Sequence, residues 1–536
     1  MIRQTKSTGG MVYMRIHRPQ RTALGLVLTA SLSFTAVNLG TMAFASAKRS
    51  PSPLSRLARF HGAPPLHGLY AGNPLTSQQK ANLVHIAQRT WKFFSVDLSP
   101  KTDLPMDNIG LKGAPARGAY TSPSDLAMYI WSIIAADNLD IISPAQASRL
   151  MHREFQAIGK LQKWHGFLLS WYNSTTGQAI TGPGGPPISR IKGQFISTVD
   201  NGWYASSLII AREAFPPLAK QASSLLGAMD FGIFYDAGRQ ATNLNAGQMY
   251  GGYYAGQGPA GFEYGNLNAD SRIAAYVGIG TRELPGNVWW RTWRTLPRQF
   301  TWQTQTPSGP TVVYHDPYSG KAFSVAEKHY RYQGITYVPS WGGSAFEALM
   351  APLVVPETSW GRTNFGLNDV NYAQASIDYA RQALHFPVFG LSPASTPNAS
   401  GDYQAYGAYP LGSGGSSNAY AHTAVTPYAS FLALPLLPQE AYANIQALKD
   451  RYAIYGPYGF FDSVNPMTGA VGTRYLVLDQ GMIMAGIDDA LTQGGLQRYF
   501  AVDPVGRRIK PYLALEHFSI SPAPGLTLHH LGKSIP

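Results

Sequence analysis

The sequence predicts an all-α protein, an (α/α)6 toroid: a double ring of helices with long cleft-forming loops and minor β structure. Three observations predict it. Apolar helical segments tend to alternate with amphipathic ones, about eleven such segments follow one another from Gln78 onward, and long loops rich in Gly, Tyr and Asn separate them, notably 236–268 and 393–422. An apolar helix suits an inner ring that meets core and cleft on all sides. An amphipathic helix suits an outer ring with one face in water.

The elements follow in order. "QQKANLVHIAQRTWKFFSV" has a helical period. "SPSDLAMYIWSIIAADNL" starts at a Ser/Asp cap signal with Pro123 and is apolar almost all round, so it reads as an inner helix. "PAQASRLMHREFQAIGKLQ" carries its charges on one side, as an outer helix should. The pairing recurs in "NGWYASSLIIAREAF" with "PPLAKQASSLLGAMDF", and in "TPYASFLALPLL" with "PQEAYANIQALKDRYA". "ADSRIAAYVGIGT", "SAFEALMAPLVV", "NYAQASIDYARQAL" and "LDQGMIMAGIDDALTQGGLQRYF" complete the set. "TVVYHDPYSGKAFSV" reads as short strands at a cleft rim.

The chain has 536 residues, 45% of them hydrophobic and only 13% charged, so much surface must be hidden in a large core. The formal net charge is +13. Arg3, Lys6, Arg15, Arg18 and Arg21 precede an apolar run, and no acid occurs before Lys48. Removing those five from the 42 basic residues leaves 37 against 29 acids, a net +8. No basic run interleaved with aromatics follows, which argues against nucleic-acid binding. The 31 Tyr and 11 Trp suit core packing or a cleft that stacks on sugar rings.

The basic start, the apolar stretch and the small residues Ala43, Ala45 and Ala47 read as a signal peptide over 1–47. The expected product is exported, periplasmic or secreted, with an uncleaved anchor as the alternative and no stable membrane span once the signal is removed. Residues 48–77 read as a linker, 78–510 as the catalytic domain and 511–536 as a C-terminal tail, where His529 and His530 read as surface features. With no cysteine, disulfides and thiolate metal sites are excluded. No metal signature, P-loop or G-x-S-x-G elbow is present, so no cofactor and no metal are expected. Nothing in the sequence sets the oligomeric state.

Carboxylates at the starts of apolar helices remain: Asp125, Asp200, Asp270 with Glu263 seven residues before it, Glu347 and Asp479. Singly, Asp125, Asp200 and Asp270 sit where helix caps belong. Together, opposite one another across a cleft, such acids are the equipment of glycoside hydrolysis. Glu347 lies inside an apolar run, so burial is expected to raise its pKa and make it the acid. Asp270, opening a helix beside Arg272, is expected to be held ionised by free N–H groups.

The succession "TSPSDLAMYIWSIIAADNLDIIS", "LQKWHGFLLSWYNSTTGQAI", "ISTVDNGWYASSLIIA", "NADSRIAAYVGIG", "WGGSAFEALMAPLVV", "AVTPYASFLALPLLP", "YGPYGFFDSVNP" and "DQGMIMAGI" resembles the bacterial glycoamylase-like domain of β-1,2-glucanases and of the processing region of cyclic β-1,2-glucan synthases. The resemblance covers roughly 81–500. It implies an (α/α)6 toroid, a glucan cleft and metal-free acid/base chemistry. It places Asp270 of "ADSR" on the Glu of a "SEAR"-like motif and Glu347 of "FEALMA" on the Glu of "FEYLMP", and on that pattern Asp270 is the acid. Two departures stand out: Asp for Glu at 270, and "DQGM" for the family's "HQGM". If the shorter Asp270 cannot serve, Glu263 is the candidate to replace it. The motifs also supply the expected substrate contacts: Asp125, Trp171, Tyr172, Asp200, Trp203, Glu263, Arg272, Trp341, Tyr428, Asp479 and Gln480.

The resulting expectation is an exported glycoside hydrolase acting on an oligo- or polysaccharide glucan, with β-1,2 as the candidate linkage. The alternatives are a glucan transglycosylase and a non-catalytic glycan-binding scaffold of the same fold. A polysaccharide lyase would require a strongly basic cleft, which the sequence does not supply.

Overall fold

The computed structural model describes residue 60 and residues 63–110, 117–238, 243–398, 402–530 and 533–534. The expected signal peptide lies outside the described residues. The fold is mostly helical with small two- and three-stranded sheets.

Local chemistry starts the helices. In α1 (Ser77–Asp97) and α2 (Pro123–Asn138), Thr76 with Gln79 and Ser122 with Asp125 form capping boxes, satisfying backbone N–H groups of the first turn. Ser143 caps α3 (Pro144–Lys160), which buries Met151, Phe155 and Ile158 on one face only. Ser197 caps α4 (Thr198–Ala214), and the amphipathic α5 (Ala219–Leu226) follows it. Further on come α6 (Arg272–Thr281), the short α7 (Ala345–Leu349), α8 (Phe365–Asp378), α9 (Tyr428–Ala433), α10 (Pro438–Arg451), α11 (Val477–Thr492), α12 (Gly495–Val502) and α13 (Pro504–Leu515).

The apolar helices contact one another in succession. α2 packs on α4, α4 on α6, α7 on α9, α9 on α11, and α11 back on α2. The step from α6 to α7 is made by Arg272, whose guanidinium donates to the carbonyls of Glu347 (3.1 Å) and Ala348 (2.6 Å). Against this set lie partner helices, α1 on α2 and α11, α3 on α2, α5 on α4, α13 on α6, α8 on α7 and α10 on α9, of which α8 is itself buried almost all round. α12 packs against α2, α4 and α11.

The strand expectation for 311–325 is met by a hairpin of β2 (Thr311–His315) and β3 (Ala322–Ala326), and β1 is Leu69–Ala71. The turn residue Asp316 accepts from the Trp290 indole (3.0 Å) and the Tyr512 hydroxyl (2.9 Å), so the hairpin is clamped to α13.

The expected linker and tail need correction. The boundary at 510 falls inside α13, which Asp503 caps and Pro504 opens. Beyond it, Glu516 accepts from Trp289 and forms a buried ion pair with Arg294. Then β4 (Leu528–His530) pairs antiparallel with β1, so the two ends of the described chain share a sheet. His529 packs on the ring of Tyr70 at 5.4 Å.

Candidate active site

The starts of the apolar helices meet in one region, and a chain of contacts documents the meeting. Ser124 at the start of α2 donates to Asp200 at the start of α4 (2.9 Å). Asp200 and Glu347 both bear electrostatically on Asp270, just before α6. Phe346 of α7 donates its N–H to Ser392 Oγ, which contacts the Tyr428 hydroxyl at the start of α9, each at 2.8 Å. Asp479 at the start of α11 feels the charges of Asp462 and Asp107, and Asp107 in turn acts on Asp125 of α2. Five carboxylates singled out from the sequence therefore stand at or beside the linked starts of successive apolar helices.

Asp270 and Glu347 are unlike in their surroundings. Burial pushes the Asp270 carboxyl up to about 8; the negative charges of Glu347 and Asp200 add to this, and Arg272 and the residue's own backbone pull it down. It therefore holds a proton at neutral pH. Glu347 is ringed by donors. Ser340 Oγ (2.7 Å) and the N–H groups of Gly342 (2.9 Å) and Ser344 (3.4 Å) reach Oε2, while Tyr420 donates to Oε1 at 2.9 Å. Ser340 is itself held by the Tyr372 hydroxyl at 2.8 Å. Glu347 is also the third residue of a capping box with Ser344, so this buried carboxylate serves the helix start as well. The environment argument from sequence is thus reversed for Asp270, which holds a proton because burial and two like charges outweigh the pull of Arg272 and the backbone, whereas Glu347 sits among hydrogen-bond donors.

The turn "SWGGS" makes the Glu347 cradle. A Cβ on Gly342 would meet the Tyr420 ring at 2.1 Å, so only glycine lets that ring lie across the turn. Gly343 has φ +81° and lies against the carbonyl of Ala408, where any side chain would be strained.

Other candidate residues sort by their partners. Asp200, raised by burial against the pull of Ser197 and Ser124, adjoins Asp270. Asp125 and Asp479, both pushed well up by burial first and neighbouring acids second, belong with Asp107 and Asp462 on another arc of the mouth. Asp125 also accepts from the backbone N–H and hydroxyl of Ser122, so its cap role stands. Glu263 accepts from Asn245 at 2.5 Å and acts on Tyr250, with no contact that makes it a substitute for Asp270. Trp171 is half-buried, edge-on to Tyr120 at 5.6 Å.

Five expected substrate contacts are corrected. Trp203 is 1% exposed and packs edge-on against Trp131 in the core; its place on a helix flank, and not on a loop, put it there. Tyr172 is buried, with its hydroxyl spent on Gln162 O and Leu169 N–H. Tyr428 is buried and bonded to Ser392 and Pro393. Gln480 is buried and donates to Phe460 O at 3.1 Å. Arg272, 2% exposed, grips Glu357 through Nε (2.8 Å) and Nη2 (3.0 Å) and spends its remaining donors on carbonyls of residues 269, 347 and 348. A guanidinium so saturated has nothing left for a sugar. Tyr420, Ser340 and Glu357, which hold Glu347 and Arg272, are the residues around the pair that sequence reasoning missed. Tyr420 lies in the 393–422 loop flagged for its composition and Ser340 directly precedes the "WGGS" motif, whereas Glu357 carried no signal.

Among the described residues, no group of three or more His, Asp or Glu side chains is placed to hold a metal, and no helix is long and apolar enough to cross a membrane.

Comparison with known proteins places these features. Residues 302–504 match the Glycoamylase family model, and residues 85–243 match a family described as a protein of unknown function, DUF3131. The chain is 23% identical over 530 residues to the cyclic β-(1,2)-glucan synthase NdvB of Rhizobium meliloti. The match takes in 78% of this chain but only 18% of the synthase's length. The fold resembles the endo-β-1,2-glucanase of Chitinophaga pinensis in complex with sophorotriose and glucose (TM-score 0.59, 14% identity, 81% of this chain and 99% of that one). It also resembles the β-1,2-glucanase of Parabacteroides distasonis (TM-score 0.61, 16% identity, 82% and 60%) and a mutant endo-β-1,2-glucanase of Talaromyces funiculosus with β-1,2-glucan (TM-score 0.58, 15% identity, 83% and 91%). The chain therefore carries a glycoamylase-like domain, is homologous to part of a cyclic β-1,2-glucan synthase and shares the fold of β-1,2-glucanases.

Proposed function

We propose, for a chain that carries a glycoamylase-like domain on the fold of β-1,2-glucanases, that it is a glycoside hydrolase acting on a β-1,2-linked glucan. In this reading the closed succession α2–α4–α6–α7–α9–α11 is the inner ring of an (α/α)6 toroid, and the mouth formed by its helix starts is the glucan cleft. The observation that carries the proposal is the unlike pair: Asp270 raised to about 8 beside a Glu347 that accepts from four residues. Glycoside cleavage needs one carboxyl that is protonated and one that is not.

Asp270 donates its proton to the glycosidic oxygen as the bond to the anomeric carbon breaks. The electron pair of that bond leaves with the departing sugar. Glu347 acts on the other side, either activating water or attacking the anomeric carbon. Tyr420 and Ser340 hold its oxygens and leave it one geometry. No step needs a metal.

A second reading, transglycosylation, is favoured by the homology to the synthase. It follows the same first step if Glu347 attacks carbon and a sugar hydroxyl, in place of water, then takes the glycosyl group. The basic, apolar and small-residue order of residues 1–47 supports export, with a mature chain beginning at Ser46 or Lys48; mass spectrometry of the periplasmic or secreted protein tests it.

The deciding experiment is product analysis of the full chain on linear β-1,2-, β-1,3- and β-1,4-glucans. Shorter β-1,2 products support hydrolysis. Longer or cyclic products support transfer. Binding with no turnover on any of them gives the protein to the scaffold reading.

A further inference from the structure

Beside Glu347 stands an aromatic corner that the two carboxylates do not account for. Trp302 is 45% exposed, a large apolar ring in water. Its indole meets that of Trp341 edge-to-face, with centroids 6.2 Å apart and planes at 74°. Phe300 packs behind Trp302 at 5.5 Å and Trp293 behind Phe300 at 5.5 Å. Trp341 directly precedes Gly342, whose N–H binds Glu347. The corner is thus continuous with the reacting end of the mouth.

The corner is built on a rigid seat. The loop "LGSGGSSNAY" passes under both indoles: Gly414 donates its N–H to Trp341 O (2.9 Å), and Gly415 donates to Thr304 Oγ1 (3.1 Å). Gly415 has φ +66° and a Cβ there would come within 2.0 Å of Trp302 O, so only glycine lets this turn lie against the Trp302 main chain. Asn418 closes the loop onto Gly414 O at 2.8 Å. The rings are fixed by backbone before any ligand arrives, which lowers the ordering cost of binding.

We propose that the Trp302–Trp341 corner is a glucan subsite that receives two consecutive glucosyl units of a bent chain next to the unit bound at Glu347. The apolar C–H faces of β-glucose suit indole faces. A β-1,4 linkage leaves a ring at opposite ends and gives a flat ribbon, which cannot lie on two planes inclined at 74°. A β-1,2 linkage joins neighbouring ring carbons, so successive units turn. The corner therefore selects chain shape as well as length. This rests on the hydrolase reading above.

The test uses the full chain and its Trp302→Ala and Trp302→Phe variants. Substrates are a long linear β-1,2-glucan and the shortest β-1,2-oligosaccharide that the parent cleaves. KM for the long glucan should rise about tenfold in Trp302→Ala, the loss expected of one aromatic contact. On the same substrate kcat should hold, the short substrate should be almost unaffected, and Trp302→Phe should fall between. Titration of the parent with long β-1,2-glucan should perturb tryptophan fluorescence, and this perturbation should shrink in Trp302→Phe even if the alanine variant does not fold. An unchanged KM on the long glucan, or an equal loss on both substrates, overturns the proposal while leaving the hydrolase reading intact. So does a parent dimer that Trp302→Ala dissociates, because the indole is then an interface. A parent that neither binds nor cleaves any glucan removes both.

Discussion

Replacing Asp270 by Asn should lower activity and raise stability at once, and the structure sets both magnitudes. The Asp270 carboxyl ordinarily titrates near 3.8 and here sits at about 8. It must be protonated to act, so the parent's kcat/KM should fall as pH rises through about 8, by roughly tenfold per unit beyond it. The stability sign is fixed by linkage. Between 3.8 and about 8 the folded state keeps a proton that the unfolded chain has released, so stability declines as pH rises through that window. At pH 7 roughly three units of that window have been crossed, which at about 1.4 kcal/mol per unit is a cost of at most about 4 kcal/mol. The amide of Asn is nearly isosteric and cannot ionise. Asp270→Asn should therefore turn over glucan about 10²–10⁴-fold more slowly, and its Tm should exceed the parent's at pH 7 and converge with it near pH 4. The assays are reducing-end release across pH 5–10 and differential scanning calorimetry at both pH values. A parent rate that does not fall above pH 8, or a variant with near-parent turnover, refutes the assignment of Asp270 as the acid.

Glu347→Gln should cost at least about a hundredfold in kcat with helicity kept by circular dichroism, and Tyr420→Phe should cost less, because it removes one of several donors. Trp203→Ala should lower stability by about 3–5 kcal/mol in denaturant titration and leave the KM of the folded fraction unchanged, since the ring is in the core. Glu357→Gln takes away the carboxylate that pairs directly with buried Arg272 and leaves only Asp369 acting on it through space. Urea titration should show a loss of about 3–5 kcal/mol, and the alkaline limb of the rate profile should move to lower pH because Arg272 then pulls Asp270 down more strongly. EDTA should leave turnover unchanged; restoration by a divalent ion after its loss would refute metal-free catalysis.

The order of apolar and amphipathic segments was legible because burial all round and burial on one side leave different periodicities. α2 and α3 show this contrast within forty residues. The two carboxylates were legible as a pair through motif resemblance and helix-start position, but their roles were not. Whether an acid is buried among like charges or among donors depends on Asp200, Tyr420 and Ser340, which lie far from it in the chain or look ordinary beside it. The aromatics misled for a related reason. Trp203 and Trp341 follow similar loop-like stretches, yet one turns to Trp131 in the core and the other to an exposed Trp302. Composition reports that rings are abundant and is silent on which side of the backbone they fall. The tail was misjudged because Arg294, the partner that makes Glu516 a buried residue, stands 222 positions away.

The hold of Arg272 on the carbonyls of residues 347 and 348 has an evolutionary side. It fastens the two helix starts to each other through main chain, so the seat of each reacting group is independent of which acid occupies it. An Asp can then stand where the resembled motif has Glu without dragging its neighbour along. Asp270→Glu, which can still hold and donate a proton, should therefore keep turnover that Asp270→Asn loses, whereas Glu357→Gln, whose fault lies in the fastening, should lose stability.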